Sequence, residues 1–69
     1  INNIYHITSL QTLNLRDNNI GDISALTNLT NLFWLDLSGN DISDVGALEN
    51  LSGLLLLYLD NNNLTKQKV

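Results

Sequence analysis

Residues 32–42 read LFWLDLSGNDI, and the pattern in this segment, L-x-x-L-x-L-x-x-N-x-[IL], also occurs 22 residues earlier and 22 residues later. Matching positions at one fixed period indicate a repeat architecture. The columns that carry it are Leu10/Leu32/Leu54, Leu13/Leu35/Leu57, Leu15/Leu37/Leu59, Asn18/Asn40/Asn62 and Ile20/Ile42/Leu64. We therefore expect one array over residues 1–69, with a partial repeat at 1–9, repeats at 10–31 and 32–53, and a partial repeat at 54–69.

The L-x-L step within each unit alternates with a period of two, which is typical of a β-strand with one buried face. Strands are therefore predicted near residues 12–16, 34–38 and 56–60. The linkers between them are too long for hairpins and favour parallel crossovers. Because the apolar residues alternate, the chain itself is expected to cover only one face of the sheet.

Asparagine recurs where the chain leaves each predicted strand, at Asn18, Asn40 and Asn62. An amide side chain offers two donors and an acceptor to turn backbone that would otherwise be unpaired. Stacked copies of this residue predict a buried ladder. A polar functional site is the alternative interpretation of the same column.

The segments that return to the next strand have apolar residues three apart, as at Ile20, Ile23 and Leu26. This spacing predicts extended backbone with short 3₁₀ turns. Asp22 and Asp44 precede these turns and could cap their free N–H groups. Calcium binding by the two aspartates is the alternative, although it requires six to eight converging oxygens.

Composition excludes several classes of function. Seven acidic against three basic residues give a formal net charge of −4, which argues against a nucleic-acid partner. The longest apolar run, residues 54–59, is too short for membrane insertion. There is no cysteine and one histidine, His6, which has no matching nucleophile and acid for general-base catalysis. We therefore expect no enzyme activity, no cofactor and no metal site.

The pattern L-x-x-L-x-L-x-x-N-x-[IL] resembles the leucine-rich repeat, and its 22-residue period is similar to the short-repeat subfamily that includes the bacterial internalins. The resemblance implies a fold of the α/β class: a right-handed superhelical solenoid with a short parallel β-sheet on the concave face and extended or 3₁₀ segments on the convex face. It also implies non-catalytic protein recognition by the concave side. A bacterial secreted or cell-surface location is implied in the same way, with an intracellular one as the alternative.

If the repeated leucines point inward, the strand positions between them face outward and should be exposed to solvent. The Gln11/Phe33/Leu55 column, at the strand edge, is expected to be partly covered. Exposed apolar clusters rimmed by charge tend to mark contact sites. The predicted partner-binding residues are the apolar group Phe33, Trp34, Leu56 and Tyr58 with the charged rim Arg16, Asp36 and Asp60. The alternative is a structural role, as a fragment of a longer solenoid or a self-assembling repeat unit without a foreign ligand.

Three five-residue strands would offer roughly 240 Å² in plane, against ~800 Å² per partner in an ordinary interface. A natural binder is therefore expected to have more repeats. The sequence opens within a repeat at Ile1, and Lys66, Gln67 and Lys68 depart from the pattern. We expect self-association through open solenoid ends or a sheet edge, or a longer parent chain, with this charged tail partly protecting the last strand.

Overall fold

The structure, a computed structural model, describes residues 4–64. Its elements follow the order β1 (Thr12–Asn14), a first 3₁₀ helix (Ser24–Leu26), β2 (Trp34–Asp36), a second 3₁₀ helix (Gly46–Leu48) and β3 (Leu56–Tyr58). The expectations for Ile1 and for the tail from Lys66 to Lys68 concern residues outside this described part.

The three strands form one parallel sheet in the order β1-β2-β3. Thr12 pairs with Trp34, and Trp34 pairs with Leu56. Each pairing therefore joins residues one 22-residue unit apart, as the repeat predicts. The parallel crossovers are confirmed.

The strands are shorter than predicted, with three residues each rather than five. Pairing continues for a few residues, since the Asp17 N–H donates to the Ser38 carbonyl oxygen at 2.9 Å. The extended backbone ends at one column, where φ is positive at Asp17 (59°), Gly39 (73°) and Asn61 (58°). Aspartate, asparagine and glycine are the residues that adopt this left-handed conformation most readily.

The close approach of the neighbouring turn also favours glycine at Gly39. A Cβ at this position would collide with the Asp17 carboxylate and would lie 3.2 Å from the Asp17 Cα. The middle turn thus approaches its neighbour closely enough to exclude a side chain.

The return segments form 3₁₀ turns, as their three-residue spacing predicts. Leu26, Leu29 and Leu32 each donate a backbone hydrogen bond to the carbonyl three residues before, at 2.9 to 3.1 Å. The predicted caps are also present. The Asp22 carboxylate accepts the Ser24 N–H at 2.9 Å, and the Asp44 carboxylate accepts the Gly46 N–H at 2.8 Å.

The core lies between the sheet and the return segments, and it is complete only in the middle of the array. Its buried residues are Ile23, Leu26, Leu29, Leu32, Leu35, Leu37, Ile42 and Leu51. Leucines of the same columns in the flanking repeats, such as Leu13 and Leu59, are only partly buried and pack against this cluster. Each unit therefore depends on its neighbours for burial, as expected of a solenoid.

The asparagine ladder is present at two of its three steps. The Asn40 amide donates to the carbonyl oxygens of Leu37 (2.8 Å) and Leu15 (3.0 Å), and its oxygen accepts the Ile20 N–H at 3.0 Å. Asn62 repeats this arrangement one unit later. Asn18 is exposed, and among residues 4–64 its side chain forms hydrogen bonds only within its own turn.

Candidate functional site

The outer face of the sheet carries a contiguous apolar surface formed by Phe33, Trp34, Leu55, Leu56 and Tyr58, which we call the sheet-face patch. Trp34 and Leu56 are direct neighbours in the β2–β3 register. The rings of Trp34 and Tyr58 contact each other, with centroids 5.9 Å apart and planes inclined at 56°. The structure thus brings together the apolar residues that the sequence predicted for partner binding.

Most of this patch is exposed. Phe33, Leu56 and Tyr58 are exposed, while Trp34 is half-buried beside Tyr58. Leu55 is the most accessible, at 80%, so the partial cover expected for its column is wrong there. Sequence reasoning left Leu55 out of the predicted binding residues, although it shares its column with Phe33.

Two residues that were predicted to be exposed to solvent are buried. Asp36 is only 7% exposed and Ser38 is 1% exposed. Both belong to the middle repeat, whose strand β2 lies between β1 and β3. The Arg16 guanidinium of the preceding repeat lies 3.5 Å from the Asp36 carboxylate. The expectation of exposure for these two residues was therefore wrong.

Part of the charged rim forms an ion-pair cluster around Arg16. Arg16 lies between Asp36 and Asp17, with its Nε 3.8 Å from the Asp17 carboxylate. Arg16 itself is half exposed, so it can still meet a partner. Asp60, which follows β3, is exposed.

The pKa of the Asp36 carboxyl is held below its usual value. The largest cause is the hydrogen bond from the Ser38 backbone N–H, at 3.0 Å, and burial opposes it. The positive charge of Arg16 also favours the ionised form of Asp36. The Ser38 hydroxyl forms no hydrogen bond with any of residues 4–64, so the backbone N–H of Ser38 is the donor that holds this carboxylate.

This lowered pKa predicts a loss of stability in acid. A carboxyl whose folded-state pKa lies below its unfolded value, ~3.9 for aspartate, stabilises the fold above that value and loses this contribution as the pH falls through the folded pKa. We expect the Asp36→Asn variant to show a flatter decline of unfolding free energy below about pH 4 than the wild type. Denaturant unfolding at a series of pH values measures this slope.

The asparagine variant suits this test because the neighbouring strand already uses an amide there. The side-chain oxygen of Asn14 accepts the Arg16 N–H at 3.1 Å, which is the same bond one repeat earlier. Asp22 also has a lowered pKa, owing first to the hydrogen bond from the Ser24 N–H, so the variant keeps some acid sensitivity. Identical slopes in variant and wild type would show that Asp36 is not responsible.

The opposite face of the array holds a shallow depression of about 540 Å³, lined by residues that include Asp22, Ser24, Thr27, Asp44 and Ala47. The two aspartates in it already accept the capping hydrogen bonds of the 3₁₀ helices. Over residues 4–64, no three acidic, histidine or cysteine side chains lie close enough together to hold a metal ion.

His6 lies on the surface of the return segment, where its ring meets Tyr5 edge-on at a centroid distance of 5.5 Å. No helix in the described part of the chain has the length and apolar character needed to cross a membrane.

Comparisons with known proteins identify the repeat. The family model described as "Leucine rich repeat" matches residues 2–42, more than half of the chain. A search of curated proteins finds no significant match.

Two solved structures from Listeria monocytogenes superpose closely on the chain. An internalin, inlF, is 34% identical over 97% of this chain with a TM-score of 0.93, and internalin C2, inlC2, is 36% identical over 96% with the same TM-score. The chain spans 20% of the first protein's chain and 29% of the second's. The predicted solenoid class is confirmed, and the chain belongs to the leucine-rich repeat family, with an internalin-like repeat.

Proposed function

We propose that this chain is a non-catalytic protein-recognition module. Its partner would bind the concave face of the sheet, which is the face that carries the sheet-face patch. Membership of the leucine-rich repeat family supports a role in protein–protein interaction in general. The observation that carries the more specific proposal is the sheet-face patch, with its exposed leucines and its Trp34–Tyr58 ring contact.

The composition of this patch favours binding over simple cover of the sheet. Side chains that only covered the sheet would shield one another, yet Leu55 is 80% exposed. Tryptophan and tyrosine are enriched among the residues that contribute most to binding. Trp34 and Tyr58 restrain each other through their ring contact, so less side-chain entropy is lost when a partner covers them.

Charged residues at the rim have a different role. Arg16 and Asp60 can contact a partner directly and would set its orientation and association rate more than its affinity. Asp36 is too deeply buried to do so. In our proposal Asp36 contributes by holding Arg16, whose guanidinium lies 3.5 Å away.

The small area of the three-stranded sheet limits the size of the interface that it can form. With three residues per strand, the described sheet measures only about 14 by 10 Å in plane, even less than predicted from the sequence. An ordinary interface buries ~800 Å² per partner. We therefore propose that the natural partner also contacts further repeats of the same kind.

The test is alanine substitution within the patch after a partner has been captured by cross-linking and identified. We expect Trp34→Ala and Tyr58→Ala each to weaken binding by ten- to thirtyfold, equivalent to about 1.4–2 kcal/mol. The binding constant can be measured by calorimetry and the melting temperature by circular dichroism, which should change little.

Tyr5→Ala provides the matched control, because Tyr5 is also an exposed tyrosine but lies in a return segment away from the sheet. It should leave the binding constant unchanged. Equal losses for Tyr5→Ala and Tyr58→Ala, or no loss for Trp34→Ala, would contradict the proposal.

A structural role is the second candidate, with residues 1–69 acting as one array within a longer solenoid or as a self-assembling unit. The partial burial of the core leucines in the flanking repeats favours it. Under this role, Trp34→Ala would reduce the oligomer or the melting temperature without affecting any foreign partner.

A further inference from the structure

We propose that the partner of the sheet-face patch is a protein surface on which a basic side chain lies beside an apolar anchor. The anchor would contact the patch, and the basic group would contact the Asp60 carboxylate. This inference rests on the proposed function and deepens it, because it gives the partner a charge and an orientation. Two parts of the same face support it, the apolar start of the strands and their acidic end.

The register of the sheet places Asp60 on the same face as the patch. Asp36 pairs with Tyr58, and the pairing continues, since the Gly39 N–H donates to the Asp60 carbonyl oxygen at 2.9 Å. Side chains two residues apart on an extended strand point to the same face and are about 7 Å apart. Asp60 therefore lies about 7 Å along the chain from Tyr58 and about 13 Å from Leu56. An extended partner segment spans these distances with about two to four residues.

Carboxylates outnumber basic groups at the acidic end of the strands. Asp17, Asp36 and Asp60 lie there with one guanidinium, that of Arg16. This guanidinium lies 3.5 Å from the Asp36 carboxylate and 3.8 Å from the Asp17 carboxylate, so two acidic groups already share it. Asp60 is exposed and forms no ion pair with any of residues 4–64. This end of the face therefore carries a net negative charge.

The Arg16–Asp36 ion pair favours a basic over an acidic partner. The hydrogen bond from the Ser38 backbone N–H lowers the pKa of Asp36, so this buried carboxylate is ionised at neutral pH. An acidic partner would have to draw Arg16 away from it, and a buried charge that loses its partner destabilises the protein. A basic group can contact Asp60 without breaking an ion pair within residues 4–64.

The outward position of Asp60 does not depend on which repeats precede or follow the described part of the chain. A further strand beside β3 would lie about 4.8 Å away within the sheet and would leave the Asp60 side chain on the same face. The two full repeats, residues 10–53, share the acidic character, since they contain six acidic residues and one basic residue. Complementary charge on a partner increases its association rate and fixes its orientation.

Two synthetic peptides test the sign of the charge. Both begin with an acetylated tryptophan, a leucine and a serine; one ends in two arginines and the other in two glutamates, each with an amidated C-terminus. Nuclear magnetic resonance of the isotope-labelled chain locates each peptide from the shifts of backbone amides and gives its dissociation constant. The arginine peptide should shift the amides of the sheet-face patch and of Asp60, and it should bind about fivefold more tightly than the glutamate peptide. Raising the ionic strength should reduce this difference, because salt screens exposed charges.

Asp60→Lys should remove the difference between the two peptides, because two carboxylates would then lie beside two basic groups. Glu49→Lys is the matched control, since it changes the net charge by the same amount at an exposed position of a return segment. It should keep the preference for the arginine peptide. If circular dichroism shows that Asp60→Lys is not folded, Asp60→Asn replaces it and should reduce the difference by about half.

The results separate this inference from the proposed function. If the two peptides bind the patch equally well, or if the glutamate peptide binds more tightly, the basic partner is wrong while the recognition face stands. The same holds if Asp60→Lys leaves the difference intact or if Glu49→Lys also removes it. If neither peptide shifts the amides of the sheet-face patch, the proposed function fails together with this inference.

Discussion

Replacing Leu35 with alanine is expected to lower the free energy of unfolding by about 2–5 kcal/mol, the usual cost of emptying a fully buried leucine site. Leu35 lies in the middle of the central strand and has no exposed surface. A domain of this size is stabilised by only about 3–10 kcal/mol. The variant should therefore be partly or wholly unfolded at ambient temperature, as measured by urea denaturation.

Leu57→Ala is the matched control for this prediction, because Leu57 occupies the same column one repeat later but is 40% exposed. The loss there should be less than half of that at Leu35. Equal losses at the two positions would mean that the core is not concentrated in the middle repeat.

Replacing Asn40 with alanine is expected to cost about 1–3 kcal/mol, the price of leaving part-buried backbone groups unpaired. The Asn40 side chain joins two repeats, because it donates to the Leu15 and Leu37 carbonyls and accepts the Ile20 N–H. Alanine removes all of these bonds and supplies none. Thermal unfolding followed by circular dichroism measures the effect.

Asn18→Ala serves for comparison, since the hydrogen bonds of the Asn18 side chain to the described part of the chain lie within its own exposed turn. We expect its effect to be a small fraction of that at Asn40, because water can replace the lost bonds. If the two variants melt together, the inter-repeat bonds of Asn40 do not stabilise the fold.

The repeat period predicts the parts of this structure that depend on chain geometry. Equal spacing places Trp34 beside Leu56 in the sheet and Asn40 beside the turn of the preceding repeat, and both placements are confirmed. Three-residue spacing in the return segments predicts the 3₁₀ turns. These features follow from one set of main-chain contacts that recurs every 22 residues, so a comparison of successive units is sufficient to predict them.

Features that depend on side-chain size were not predictable in the same way. The sequence predicted an exposed Asp36 and partial cover over the column of Leu55, yet Asp36 is buried while Leu55 projects into solvent. Asp36 has a neighbouring repeat on each side, including the long Arg16 side chain that reaches it. The sequence does contain a signal for where the strands end, because the Asp17/Gly39/Asn61 column holds residues that tolerate positive φ. The alternation of leucines alone does not show this strand end.

The constant register of the sheet has a consequence for how such a gene can lengthen. Every strand pairing within residues 4–64 joins residues 22 apart. A tandem duplication of the coding sequence for any 22 consecutive residues would therefore preserve the register of the strand pairing, wherever its breakpoints fell. Recombination in such a gene need not respect the boundaries of a unit.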